Sequence, residues 1–94
     1  MAKIKRVVLD VLKPHEPKMV LFTEQLNDSE EVTGITSKLV ELDEDVRTLR
    51  VTVEGDDLDM ESIEARINDL GGSIHSVDEV SVGEEIVEDP WIAN

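Results

Sequence analysis

The chain has 94 residues and no cysteine, which limits it to one thin domain and excludes disulfides, zinc–thiolate sites and cysteine nucleophiles. Nine Lys and Arg residues stand against 23 Asp and Glu residues, giving a formal charge of −14. This charge argues against binding to nucleic-acid backbones or to anionic membranes. It is typical of a hydrated acidic surface in a high-salt cytoplasm, and the alternative is a surface for cations or a basic partner.

The first predicted element is a strand over residues 3–13. Val7, Leu9 and Val11 lie on one face, and the other face carries Ile4, Arg6, Val8, Asp10 and Leu12, which predicts a central strand. The apolar run near the N-terminus is too short for a signal sequence or a membrane span, so we expect a cytoplasmic protein.

The next two elements are a helix and a second strand. Pro17 suits the first turn of a helix, and apolar residues recur at helical spacing from Met19 to Leu26. Gly34 is interpreted as the turn into a strand over residues 35–42.

The second half of the chain predicts a strand, a helix and a strand. A third strand over residues 46–54 forms a hairpin with the second. Asp59 is the expected N-cap of the second helix, and Gly71 supplies the left-handed residue that ends it. A fourth strand follows over residues 73–82.

This order predicts an α+β fold, the ferredoxin-like βαββαβ sandwich. The expected sheet is antiparallel with strand order 4-1-3-2, and both helices cover one face. Residues 1–83 form the predicted domain, and residues 84–94 form an acidic C-terminal tail. The other face of the sheet is left open, which favours contact with a partner.

Three segments of the sequence resemble a known archaeal family. They are IKRVVLDVLKPHEP at 4–17, VEGD at 53–56 and GGSIHSVDEV at 71–80. They resemble the family called domain of unknown function 211, over about residues 3–88. The resemblance implies a ferredoxin-like fold and small ring-forming homo-oligomers, but the family has no settled biochemical role and provides no catalytic residues. The chain is more acidic than typical members, which fits a halophilic archaeon.

A polar cluster is predicted on the open face if the first and fourth strands pair antiparallel. In the expected register Asp10 lies opposite His75, and Arg6 lies opposite Glu79. The end pairs of that register are Leu12 with Ser73 and Ile4 with Ser81.

Three hypotheses account for this cluster. It is a polar ladder that fixes the register or pairs across a subunit boundary, or it is a site for a small anion or divalent cation formed by Asp10, His75 and Glu79. An imidazole–carboxylate pair also suits proton transfer, but no nucleophile is placed beside it. Arg6 completes the set of candidate ligand or interface residues.

Acidic turns provide a second candidate cation site. Asp56 and Asp57, with Asp59 nearby, carry the carboxylate oxygens that calcium and magnesium prefer. The spacing lacks the glycine and the closing glutamate of an EF-hand loop, and turns and caps favour aspartate in any case.

The loop after the first strand is a poor candidate for phosphoryl chemistry. In residues 13–17 two prolines remove backbone N–H donors, Glu16 repels anions, and no arginine is present. In the tail, Trp91 is either loosely packed or an anchor on a neighbouring subunit.

The sequence therefore favours a non-enzymatic homo-oligomeric module. Its sheet face, its edge strands (the second and fourth) or its tail would contact other copies, and a small ligand could lie between subunits. The alternative is a calcium- or magnesium-binding protein that uses the acidic turns, or Asp10 with His75.

Overall fold

The chain folds in the order strand, helix, strand, strand, helix, strand, as described by a computed structural model over residues 2–88. The elements are β1 (Ile4–Lys13), α1 (Met19–Leu26), β2 (Val32–Leu42), β3 (Arg47–Gly55), α2 (Met60–Asp69) and β4 (Ser73–Val82). This is the predicted βαββαβ arrangement, an α+β ferredoxin-like fold, and the prediction is confirmed.

The four strands form one antiparallel sheet in the order β2-β3-β1-β4. This is the predicted order 4-1-3-2 read from the opposite edge. The central strands β1 and β3 pair along most of their length, so β2 and β4 form the two edges.

The hydrophobic core lies between the sheet and the two helices. Val7, Leu9 and Val11 are completely buried on one face of β1. They belong to the same cluster of buried side chains as Phe22 of α1 and Ile67 of α2. The alternating apolar residues of the strand and the apolar residues at helical spacing therefore form one buried layer, as the sequence predicts.

Helix α2 begins and ends as its sequence predicts. The Asp59 carboxylate accepts hydrogen bonds from two backbone N–H groups of the first turn, at 3.0 and 3.4 Å. At the other end Gly71 has a φ of 89°, and the Gly72 N–H donates to the Ile67 carbonyl at 2.9 Å. These bonds satisfy backbone groups that the helix itself leaves unpaired.

Strand β2 begins earlier than the sequence suggests. It begins at Val32 instead of residue 35, and Gly34 lies within the strand, beside an irregularity in its pairing with β3. The interpretation of Gly34 as a turn was wrong because glycine inside a strand often marks a bulge. The partner of Val32 is Gly55, where an added Cβ would clash with the backbone oxygen of Glu31.

No helix described within residues 2–88 is long and apolar enough to cross a bilayer. The longer of the two, α2, has 10 residues, about half of what a span requires.

Candidate functional site

Strand β4 pairs with β1 in a register that differs from the predicted one. Leu12 lies opposite Ser73 as predicted, but Asp10 lies opposite Ser76 and not opposite His75. The register shifts between Asp10 and Val11, where β4 carries His75 as an extra residue. The predicted Asp10–His75 pair was therefore wrong, because a bulge breaks the regular alternation on which it depended.

The predicted pairing at the other end of β4 was also wrong in register. Arg6 lies opposite Ser81, and Ile4 lies opposite Val82. The Arg6 guanidinium nevertheless reaches Glu79, with Nη1 3.2 Å from Oε2. The two side chains meet because a long arginine can bridge to a diagonal neighbour on the adjacent strand.

Arg6 is the centre of a cluster that contains three carboxylates. Its Nε donates to Glu54 at 2.8 Å, and its two terminal nitrogens donate to Glu88 at 3.0 and 2.8 Å. The Glu79 contact completes the set, and the arginine side chain is 17% exposed. This cluster, called the Arg6 cluster below, joins β3, β1, β4 and the segment that follows β4.

The opposite charges of the Arg6 cluster stabilise the ionised forms of its side chains. Hydrogen bonding to Glu88 and then to Glu54 raises the pKa of the Arg6 guanidinium above its ordinary value. The hydrogen bond from Arg6 and then its charge lower the pKa of the Glu88 carboxyl. The guanidinium lies between these carboxylates. The cluster therefore links segments of the fold and is not a vacant cation site.

Asp10 and His75 are not direct cross-strand partners. Asp10 lies between β3 and β4, opposite Arg50 on one side and Ser76 on the other. His75 is exposed on the bulged edge strand. Within residues 2–88 no group of three or more His, Cys, Asp or Glu side chains is arranged to hold a metal ion. The cation hypothesis stays a prediction without a preformed site in this part of the chain.

Asp56 forms ion pairs with two lysines. The Asp56 carboxylate lies 2.6 Å from Lys5 Nζ and 3.5 Å from Lys3 Nζ. The hydrogen bond from Lys5 and then the charge of Lys3 lower the pKa of Asp56. Asp57 is exposed beside it, and Asp59 caps α2. A cation bound at this turn would have to compete with both lysines.

The predicted acidic tail contacts the domain through its first residues. Glu88, the last described residue, reaches Arg6 as given above. Trp91 lies outside the described residues, so its role as a subunit anchor stays a prediction.

Both edge strands expose large apolar side chains. On β2, Leu39, Val40 and Leu42 are 47%, 53% and 59% exposed. On β4, Val77, Val80 and Val82 are 49%, 52% and 50% exposed. The alternation rule predicted strands at these positions, but not that α1 and α2 leave both edges uncovered.

In the part of the chain that the structure describes, the interior offers little room for a ligand. A small recess of about 10 Å³ lies between the helices and the sheet, beside Leu26, Ile63 and Arg66. That volume is about the size of one water molecule. A ligand of metabolite size would therefore bind at the surface or between copies of the chain.

Comparison with known proteins gives a family match and a similar archaeal protein. The model of the domain of unknown function 211 family, described as uncharacterized ArCR, matches residues 5–93. The chain is also similar to an uncharacterized protein of Methanocaldococcus jannaschii, with 42% identity over 86 residues. That alignment covers 92% of this chain and 89% of the relative.

Proposed function

The chain belongs to the domain of unknown function 211 family, and on that premise we propose that it is a non-enzymatic module that forms a ring of identical copies through its edge strands. One observation carries the proposal: both edges of the sheet expose apolar side chains beside backbone groups that no neighbouring strand pairs within residues 2–88. Exposed apolar edges of this kind are templates for pairing with another chain.

The two edges differ, which favours a head-to-tail contact. Strand β2 forms one edge of the sheet and β4 forms the other. If β2 of one copy pairs with β4 of the next, the sheet continues from copy to copy, and the same interface repeats at every step. Such a heterologous contact produces a ring when the rotation between copies closes. Twist of the sheet supplies a rotation at each step.

The charges along the two edges also favour the β2–β4 contact. Strand β2 presents one exposed cation and one exposed anion, Lys38 and Glu41, whereas β4 presents exposed Asp78 and Glu79. Pairing two copies of β4 would bring these acidic side chains together, which costs free energy. Pairing β2, which has no net charge, with β4 brings fewer like charges together.

The non-enzymatic part of the proposal rests on the surroundings of the two histidines. His15 and His75 are both exposed, and His15 Nε2 contacts the carbonyl oxygen of Glu44. No carboxylate orients either ring in the part of the chain that the structure describes. In histidine-based acid–base and nucleophilic sites the ring is commonly oriented by such a partner.

The cellular setting belongs to the same proposal. A formal charge of −14 on 94 residues suits a concentrated salt solution, because dissolved ions shorten the range of repulsion between copies. We therefore infer a cytoplasmic protein from a halophilic archaeon.

Sedimentation equilibrium in concentrated KCl tests the proposed assembly. Val80→Lys places a charge on the β4 edge and should convert the assembly to monomers. Val20→Lys makes the same substitution on helix α1, at a valine that is 70% exposed, and should leave the assembly intact. Native mass spectrometry of the wild-type sample would give the number of copies and the mass of any ligand retained between them.

Two results would contradict the proposal. One is a wild-type chain that stays monomeric up to roughly millimolar concentration, where mass action drives even weak association. The other is loss of assembly in the Val20→Lys variant but not in the Val80→Lys variant, which would place the contact on the helical layer.

A further inference from the structure

Lys13 is a lysine on the buried face of β1. Its side chain is 1% exposed, and its Nζ donates a hydrogen bond of 2.7 Å to the Pro14 carbonyl. The Nζ also lies 5.9 Å from the centre of the Phe22 ring. No carboxylate lies within ion-pair distance of this ammonium among residues 2–88. A buried ammonium is normally paired, so the absence of a counter-charge needs an explanation.

A second cation lies beside Lys13. Arg47 is its direct partner in the pairing of β1 with β3. The Arg47 Nε is buried and has no hydrogen-bond partner among residues 2–88, although the residue as a whole is only half-buried. Burial and then the charge of Arg47 lower the pKa of Lys13, while Glu16 acts in the opposite direction from beyond ion-pair distance. Two adjacent cations with unused donors occur in a chain rich in carboxylates.

Helix α1 follows the loop after Lys13 and has spare backbone donors at its start. Helix α1 begins after Lys18 without a side-chain cap, and its first turn contains no acidic residue. The first N–H groups of a helix have no partner within the helix and favour negative charge. The contact between His15 and the Glu44 carbonyl holds the loop after β1 against the β2–β3 turn.

We propose that Lys13 and Arg47 bind a phosphate group at this end of the sheet. Nζ has two further N–H donors and Nε has one, and the two residues are direct partners on adjacent strands, so their donors and charges suit one tetrahedral oxyanion. A dianion also balances two positive charges, whereas a single carboxylate balances one. Both donor atoms are buried, so the half-buried Arg47 side chain has to move aside to admit the phosphate. This inference is independent of the proposed assembly.

NMR of the full chain with inorganic phosphate as the probe tests the site without any substitution. The Nε–Hε resonance of Arg47 should shift saturably as phosphate replaces KCl at constant ionic strength. Arg50 lies on the same strand but is exposed, so its resonance should move little. No saturable shift at Arg47, or an equal shift at Arg50, would overturn the proposal.

Variants then assign the two side chains. Lys13→Met and Arg47→Gln should each weaken phosphate binding about tenfold, the loss expected when a charged hydrogen-bond partner is removed. Arg50→Gln removes the same charge from the exposed site and should change the Kd by less than about twofold. Acetate at the same concentrations should bind more weakly than phosphate. Equal binding of acetate, or equal loss in all three variants, would contradict a phosphate site.

Discussion

Arg6 and Lys13 lie on the same strand, but only the charge of Arg6 is balanced by neighbouring carboxylates within residues 2–88. Arg6 donates to three carboxylates, so its charge is satisfied where it lies. Lys13 is buried with one carbonyl acceptor and a neighbouring cation. Burial of an uncompensated ammonium costs folding free energy, and that cost is expected where a site is built for a ligand and not for stability.

Replacement of Lys13 by methionine should stabilise the chain in buffer without phosphate. Methionine fills a similar volume with no charge, so we expect the Tm to rise by about 5 °C. Because folding lowers the pKa of Lys13, the cost of its charge is fully present below the folded pKa. It disappears as the pH rises past the ordinary value of 10.5. The gain in Tm should therefore be large at neutral pH and shrink in strong alkali.

Thermal unfolding followed by circular dichroism measures this effect, with Lys18→Met as the control. Lys18 is exposed, so its loss should leave the Tm nearly unchanged. A Lys13→Met variant that is less stable than wild type at neutral pH would show that the ammonium stabilises the fold.

The sequence alone indicates that Lys13 is buried, but it does not indicate that Arg47 lies beside it. Continuing the buried alternation of Val7, Leu9 and Val11 by two residues places Lys13 on the same face. Arg47 could not be found in this way, because its position beside Lys13 depends on the register between β1 and β3. Residues 13–17 contain no arginine, and the composition of this loop does not indicate an arginine from another strand.

At the scale of elements, β4 and the segment after it determine which side chains meet on the open face of the sheet. Irregular pairing with β1 moves His75 out of line with Asp10. The same strand brings Glu79 to Arg6, and residues 84–88 lead to the Glu88 contact. The capped helix α2 was predictable from local sequence, but bulges depend on side-chain packing across strands and left no pattern in the sequence.

Glu88→Gln should release the segment formed by residues 84–88. The Glu88 carboxylate makes two of the four hydrogen bonds in the Arg6 cluster, and a neutral amide cannot reproduce its charge. Backbone ¹⁵N relaxation should show faster motion of this segment in the variant. Glu85→Gln removes a charge from the same segment, at an exposed position, and should leave the relaxation unchanged.

Acid should have the same effect on the wild-type chain. Folding lowers the pKa of Glu88, so the order supplied by its contact is present above the ordinary glutamate pKa and is lost as pH falls through the lowered value. Equal motion of this segment in wild type and Glu88→Gln at neutral pH would show that the Arg6 contact does not hold it.

At the scale of the whole molecule, one layer of two helices covers a sheet that is wider than the layer. The core occupies the centre of the sheet, and the apolar side chains of β2 and β4 extend beyond the helices. The fold class, strand order and buried face were predictable because period and length specify them. The extent of the uncovered edges was not, since it depends on where the helices pack. A small domain with such edges gains apolar burial by joining other copies.

A mixing experiment tests the head-to-tail contact most directly. Leu39→Lys blocks the β2 edge and leaves β4 intact, whereas Val80→Lys blocks β4 and leaves β2 intact. In concentrated KCl each variant alone should sediment as a monomer, and an equal mixture should sediment as a dimer, because one pair of complementary edges remains. A mixture that stays monomeric, or a Leu39→Lys variant that dimerises alone, would contradict the β2–β4 contact on which the proposed ring depends.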